Sequence, residues 1–314
     1  MKASIIIRTL NEELHLKKLL CRTESQQPKG FVHEVIIVDS GSTDRTLDIA
    51  DEHGCRIIHI ERDQFSFGRS LNIGCSASDC DFLVFISGHC IPISDDWLFN
   101  LCLPIVNKDA VYCYGRQIGD DSSHFSESQI FLKYFPALSA IPQDGIFCNN
   151  ANAAIHRSAW VETKFDEDLT GLEDMALAKV LIDRGMKIGY VSEATVLHLH
   201  SESWQQVRRR FARESFALNS ILPRVHLTFI DALRYYLISC WSDICAAHAV
   251  GKLFLNILDI IFYRFHQYLG SYIGNQIQRD LSAREKDAFF YPDANNFHWH
   301  RRWLRSNIKS LNSL

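Results

Sequence analysis

Glu34-Val35-Ile36-Ile37-Val38-Asp39-Ser40-Gly41-Ser42-Thr43-Asp44-Arg45-Thr46 is the stretch whose reading decides the fold. Four consecutive apolar residues, Val35 to Val38, run into Asp39 and give way to small turn formers. An apolar run of this length bounded by turn residues has the pattern of a strand buried on both faces of a parallel sheet. The Ser-Gly-Ser-Thr-Asp cluster then starts a helix carrying Leu47, Ile49 and Ala50. In open α/β sheets ligands collect beyond the carboxyl ends of strands, where helix N-termini present free N–H groups. Asp39 stands at that place. Two readings are open: Asp39 and Ser42 cap the following helix, or Asp39 faces a ligand.

Upstream, Ser4 to Ile7 is another apolar run, ending in Arg8-Thr9-Leu10-Asn11-Glu12-Glu13, and Leu14, Leu16, Leu19 and Leu20 continue at helical spacing. Downstream, a third strand spans Arg56 to Ile60 after Gly54. The pattern is β-α-β-α-β, that of a parallel sheet with right-handed crossovers. A helix follows from Arg69 to Ala77, then a fourth strand from Asp81 to Ser87. Asp95 and Asp96 are expected to cap a helix over Trp97 to Val106, and Ala110 to Gly115 is a fifth strand. Residues 118–150 are less regular and are expected to face substrate. Asn149 to Ile155 enters another strand, and Gly171-Leu172-Glu173-Asp174 opens a helix that Gly185 closes. Strand segments are expected at Ile188–Val191 and Thr195–His200. From Ser203 onward the pattern is mainly helical.

The chain has 314 residues, 47% of them hydrophobic and 22% charged, enough for one large core or two unequal domains. A net charge of -4 gives no support to general nucleic-acid binding. Ten cysteines are scattered without a CxxC pair, which points to reduced thiols. The N-terminus lacks the long apolar region of a signal peptide. The expected location is the cytoplasm.

Five separated pieces then agree: Arg8-Thr9-Leu10-Asn11-Glu12, Val38-Asp39-Ser40-Gly41-Ser42-Thr43-Asp44, Phe67-Gly68-Arg69-Ser70-Leu71-Asn72, Gly115-Arg116-Gln117 and Glu173-Asp174. On them the chain resembles family 2 glycosyltransferases of the GT-A fold, and is most similar to bacterial transferases of O-antigen and capsule assembly, including rhamnosyltransferases. The resemblance implies an α/β fold, a Rossmann-like mixed sheet flanked by helices, over residues 1–205. A C-terminal helical region, residues 206–314, follows. It further implies inverting transfer of a sugar from a nucleotide-diphosphate donor to a hydroxyl of a saccharide, a lipid-linked one in surface polysaccharide synthesis.

Carried over residue by residue, Arg8, Thr9, Glu12, Asp39 and Ser40 would line the donor pocket. Arg69, Asn72 and His89 would face the diphosphate or sugar; an Arg offers phosphate oxygens a planar, permanently charged fork. Arg116, Gln117 and Asn150 would meet the acceptor. Asp174 would be the base that deprotonates the attacking hydroxyl, with Glu173 orienting the acceptor or a neighbouring side chain. The ordinary reading of Glu173-Asp174 is a pair of acids at a helix start.

One position departs from the family pattern. Where the family carries an Asp that holds Mg²⁺ or Mn²⁺, this chain has Ser87-Gly88-His89-Cys90-Ile91-Pro92, with His89 in place of the carboxylate. Imidazole is a poor ligand for Mg²⁺. Either His89 and His198 bind a softer ion such as Mn²⁺, or they contact the diphosphate directly with Arg69. The second, with no metal required, is the expectation, because the matched motif supplies no acidic residue.

Residues Phe229 to Tyr268 show apolar spacing at three and four, interrupted by charges. They suit either a bundle that covers the sheet or forms a homodimer, or a peripheral contact with the inner membrane face, where basic residues such as Arg208, Arg209, Arg210 and Arg213 meet lipid head groups. The tail from Phe289, with His298, Trp299, His300, Arg301, Arg302 and Trp303, has interfacial composition. Two competing functions are weaker. A nucleotidyltransferase would want a Gly-rich, Lys-containing phosphate loop, and a degenerate sugar-nucleotide-binding or scaffold protein would not need Glu173-Asp174.

Overall fold

In the computed structural model, residues 1–120, 123–199, 202–277 and 279–291 are described. The apolar run after Lys2 forms β1 (Lys2–Thr9), and α1 (Glu13–Glu24) buries Leu16, Leu19 and Leu20 on the way to β2 (Val32–Asp39). β1 and β2 pair in parallel, which sets Thr9 beside Asp39 at their carboxyl ends. α2 (Thr46–Glu52), β3 (Arg56–His59), α3 (Phe67–Ser76) and β4 (Phe82–Ser87) complete four parallel strands in the order β3-β2-β1-β4. The expected β-α-β-α-β start is therefore present.

The sheet then becomes mixed. β5 (Cys90–Pro92), α4 (Trp97–Val106), β6 (Tyr112–Ile118), α5 (Phe125–Tyr134), β7 (Asn152–His156), α6 (Arg157–Thr163), α7 (Glu173–Asp183) and β8 (Ile188–His198) follow. β7 lies antiparallel between β4 and β6, β8 is parallel to β6, and β5 closes the edge antiparallel to β8, giving eight strands among the described residues. Several expectations change here. Cys90–Pro92 is a strand of its own, the segments at 188–191 and 195–198 are one strand, and the irregular insertion contains α5; His200 lies outside the described residues. Asp95 and Asp96 make no side-chain cap to α4, pairing instead with Arg22 at 2.9 Å and Lys29 at 2.7 Å.

Two apolar clusters, one on each face of the sheet, make the core. One packs α1 and α4 around Ile5, Ile7, Ile37, Val84 and Trp97; the other packs α3, α6 and α7 around Ile6, Phe85, Tyr112 and Trp160. The ten cysteines are free thiols.

Four more helices follow, α8 (Trp204–Ile221), α9 (Phe229–Ala249), α10 (Leu253–Asn275) and α11 (Ala283–Phe290). Gly270 and Gly274 let α10 lie against the α8 backbone, where a Cβ would collide with the carbonyl oxygens of Arg208 and Ala212. Buried charge ties this layer to α5. Arg264 of α10 grips Asp243 of α9 at 2.7 and 2.9 Å, and Ser126 of α5 donates to Asp243 at 2.6 Å. Arg210 sits 2.7 Å from both Glu127 of α5 and Glu202. That part of the expected basic membrane surface is thus turned inward. The outer faces of α9 and α10 are apolar and exposed, with Phe254 at 96%, Leu255 at 83%, Ile230 at 75% and Trp241 at 70%. Among the described residues no helix is long and apolar enough to cross a membrane.

Candidate active site

The carboxyl ends of β1, β2 and β4 meet in one depression. Asp39 at the end of β2 is fully buried. Its carboxylate accepts from Thr9 Oγ1 at 2.9 Å, Ser42 Oγ at 2.5 Å, and the Gly41 and Ser42 amides at 3.0 and 2.9 Å. Asp39 does not cap α2, whose N-cap is Arg45; Asp44 instead accepts from the Thr46 amide and hydroxyl. Asp39 rather fixes the turn that carries Ser40 and Gly41 into the wall of a cavity of about 280 Å³, completed by His59, Arg62 and Tyr291. An adjoining cavity of about 140 Å³ is lined by Arg8, Glu12, Phe67 and His89 and shares Leu10, Ser40 and Tyr291.

Arg8 at the end of β1 joins this second cavity to the acidic pair. Its Nη1 lies 3.2 Å from Glu173 Oε1, and its guanidinium stands 4.9 Å over the Phe67 ring. Asn150 Nδ2 reaches the same Glu173 oxygen at 3.5 Å, and the Asn150 amide donates to Asp174 Oδ2 at 2.9 Å. The other Asp174 oxygen takes the Met175 amide at 2.8 Å. Buried Glu173, Asp174 and Asn150 therefore form one group with the partly exposed Arg8. Burial raises the Asp174 carboxyl from its ordinary 3.8 to about 7; the Glu173 charge adds to this, while the two backbone N–H groups and Arg8 oppose it. A carboxylate near neutrality is suited to accept a proton and lose it again.

The turn from β4 to β5 brings a second group together. His89 Nδ1 is 2.8 Å from Glu12 Oε1, and Gly88 allows the approach, since a Cβ there would come within 2.7 Å of the Glu12 side chain. Burial disfavours the charged His89 ring, but the Glu12 carboxylate and its hydrogen bond outweigh this, so the imidazole titrates higher than usual. His89 stacks on His198 at 5.1 Å, and His198 Nδ1 meets Gln117 Oε1 at 2.6 Å. Gln117 in turn donates to Asn149 at 3.1 Å. Arg116 stands beside it, where the β6–β8 register shifts between Gly115 and Gln117.

The structure changes the reading of two motifs. Asn72 is buried with its amide spent on scaffolding: it donates to Phe165 O and Glu167, and accepts from Trp160 Nε1 and the Phe165 amide. Arg69 pairs with Glu167 at 2.8 Å and with Gln64. The Phe-Gly-Arg-Ser-Leu-Asn piece thus anchors α3 to the segment at 165–167, and neither Arg69 nor Asn72 lines the two cavities above. The premise of the metal-free expectation also fails. A carboxylate does stand beside His89, supplied by Glu12 from the loop after β1. A divalent ion on a diphosphate commonly takes only one or two protein carboxylates besides phosphate and water, so Glu12 fits such an ion. Arg62, Phe290 and Tyr291 were not foreseen as cavity walls, and no local pattern marks them.

The mixed eight-stranded sheet among the described residues carries a cavity across the carboxyl ends of β1 and β2, with a pair of acids near it. The sequence model described as glycosyl transferase family 2 matches residues 4–162, and the chain belongs to that family and is a glycosyltransferase. It is 26% identical over 223 residues to the O-antigen chain rhamnosyltransferase RfbN of Salmonella typhimurium, covering 67% of this chain and 70% of that protein. It is 29% identical over 189 residues to WbaN, of the same description, from Salmonella anatum, covering 57% and 60%. Among solved structures, a mannosyltransferase of Pyrobaculum calidifontis in complex with GDP-Man and Mn²⁺ shares the fold at TM-score 0.58 and 15% identity, over 86% of this chain and 84% of that one. The glucosyl-3-phosphoglycerate synthase of Mycobacterium tuberculosis, with Mn²⁺ and UDP-glucose, gives TM-score 0.51 and 20% identity over 71% and 79%. Metal independence gains no support from these neighbours.

Proposed function

We propose that this glycosyltransferase moves a deoxyhexose such as rhamnose from a nucleoside-diphosphate donor to a hydroxyl of a lipid-linked saccharide, with inversion, during assembly of an O-antigen-type polysaccharide. The observation that carries the reading is Arg8, which lines the cavity beside Ser40 and His89 while holding Glu173. Arg8 and the His89 ring would face the diphosphate, whose leaving charge they stabilise. Asp174 would take the proton from the acceptor hydroxyl as it attacks from the face opposite that diphosphate. Glu173, tied to Arg8 and Asn150, would keep the two subsites in register. The two Salmonella relatives support the sugar and the pathway class. Glu12 is the carboxylate that would hold a divalent ion, whose role when bound is to neutralise diphosphate charge.

The apolar outer face of α9 and α10 supports a lipid-borne acceptor. Val250, Phe254 and Leu255 project at the turn between the helices, next to Lys252, as an interfacial element does. The test is turnover with a panel of UDP-, dTDP-, GDP- and CMP-sugars, with acceptor saccharide free or lipid-linked in vesicles. A dTDP- or other deoxyhexose donor consumed only with lipid-linked acceptor is the expected result. Flotation with anionic vesicles should carry the protein, and Phe254→Ser with Trp241→Ser should release it. A protein that stays off vesicles and runs as a stable dimer assigns the apolar face to a second copy.

A further inference from the structure

The last described helix, α11, packs back against the N-terminal half of the chain at the edge of the larger cavity. Asp287 of α11 bridges Arg62 at 3.1 Å, although 225 residues separate them. Phe290 meets Phe65 and Phe67 edge-on at 5.4 and 5.6 Å. Phe289 is buried against Ala212 and Leu281, and Arg213 donates to its carbonyl. These contacts anchor α11. Tyr291, just beyond it, does something different: its ring lies 4.0 Å from the Arg62 guanidinium, and together they line the 280 Å³ cavity with Asp39 and Ser40.

We propose that Tyr291 and Arg62 hold the nucleoside of the donor, so that the C-terminal segment is a donor-binding element. The proposal rests on the nucleotide-sugar reading above. The two adjoining cavities differ in chemistry. The smaller is lined by Arg8, whose guanidinium suits a diphosphate, with His89 and Glu12 beside it; the larger offers an aromatic ring, a guanidinium plane and the Ser40–Gly41 turn, suited to a base and ribose. A planar base can lie against an aromatic face whatever its hydrogen-bonding edge, and Arg62 and Asp39's turn are placed to meet polar edges. The expectation of a membrane-facing tail is corrected at Phe289–Tyr291, which turn inward; residues from 292 on lie outside the described residues.

The test is calorimetry on the full chain with UDP, dTDP and GDP, and with inorganic diphosphate as a probe of the smaller cavity alone. Tyr291→Ala should weaken the bound nucleoside diphosphate about tenfold or more, the scale of one lost stacking partner. Tyr291→Leu, which keeps the side chain's apolar burial, should weaken it similarly, while Tyr291→Phe stays near the wild type. Inorganic diphosphate, which meets Tyr291 only at the edge the two cavities share, should lose far less affinity than the nucleotides in the Ala and Leu variants. Unchanged nucleotide affinity in the Ala and Leu variants overturns the proposal, as does an equal loss of nucleotide and inorganic diphosphate. A wild-type protein that binds none of the three nucleotides defeats both this inference and the donor class beneath it.

Discussion

Replacing Asp174 with Asn removes a carboxyl that burial, helped by Glu173, raises from 3.8 to about 7. At about 1.4 kcal/mol per pH unit, that rise disfavours the ionised form by a few kcal/mol. Between roughly pH 4 and 7 the folded protein therefore keeps a proton that the unfolded chain has lost. Stability from this group is present below about pH 4 and falls as pH climbs through 7. The Asp174→Asn variant has no such proton. It also loses an acceptor for either the Asn150 or the Met175 amide, costing about 1–3 kcal/mol at every pH. Urea denaturation across pH 4.5–8, roughly the window set by that carboxyl, should show the variant less stable than wild type at the acid end, with the gap narrowing or reversing toward the alkaline end. Turnover should respond in the opposite sense. Wild-type activity should fall about tenfold per pH unit below about 7 as the base protonates, and Asp174→Asn should cost on the order of 10²-fold or more with donor affinity unchanged. Parallel stability curves would refute the raised carboxyl. Near-normal turnover would remove Asp174 from proton transfer, and loss of the acid limb in Glu173→Gln instead would pass the role to Glu173.

Asp39→Ala should lower stability by about 2 kcal/mol or more in urea, because four donors lose a charged acceptor; a fold as stable as wild type with only weaker nucleotide binding would show that Asp39 serves the ligand alone. Asp243→Ala should destabilise by about 3–5 kcal/mol, since Arg264 is left buried and uncompensated; a cost below about 1 kcal/mol would mean water replaces the partner. EDTA should abolish sugar transfer and Mn²⁺ restore it, with Glu12→Gln raising the Mn²⁺ needed; transfer that is indifferent to EDTA would leave the diphosphate to Arg8 and His89.

The parallel half of the sheet was legible because Val35–Val38 and Phe82–Ser87 read as apolar runs with few interruptions, as strands covered on both faces do. β5 escaped because three residues with Pro92 at an edge carry no periodic pattern. Arg8, Glu173 and Asp174 were each marked by motifs and Asn150 by the polar run that enters β7, and the fold gathers them. Asn72 was also marked, yet its bonding partners lie at residues 160–167, beyond any local reading. Glu12 beside His89 was missed for the same reason: one sits after β1, the other after β4, and only strand order makes them neighbours. Arg208–Arg213 looked like a basic surface because the partners of Arg210, Glu127 and Glu202, are set by how α8 packs.

Because Asp287 reaches back to Arg62, the order in which the chain is made bears on when it can bind its donor. Domains tend to fold as they emerge from the ribosome, N-terminal part first. The eight strands are complete once His198 has been made, so Asp39, Arg8 and Asp174 can be in place while translation continues. Phe290 and Tyr291 arrive about ninety residues later, and one wall of the larger cavity arrives with them. Nascent chains stalled before α11 would then carry the acidic pair but lack the Tyr291 wall of the larger cavity, so the proposed nucleoside site would form only once α11 has been made.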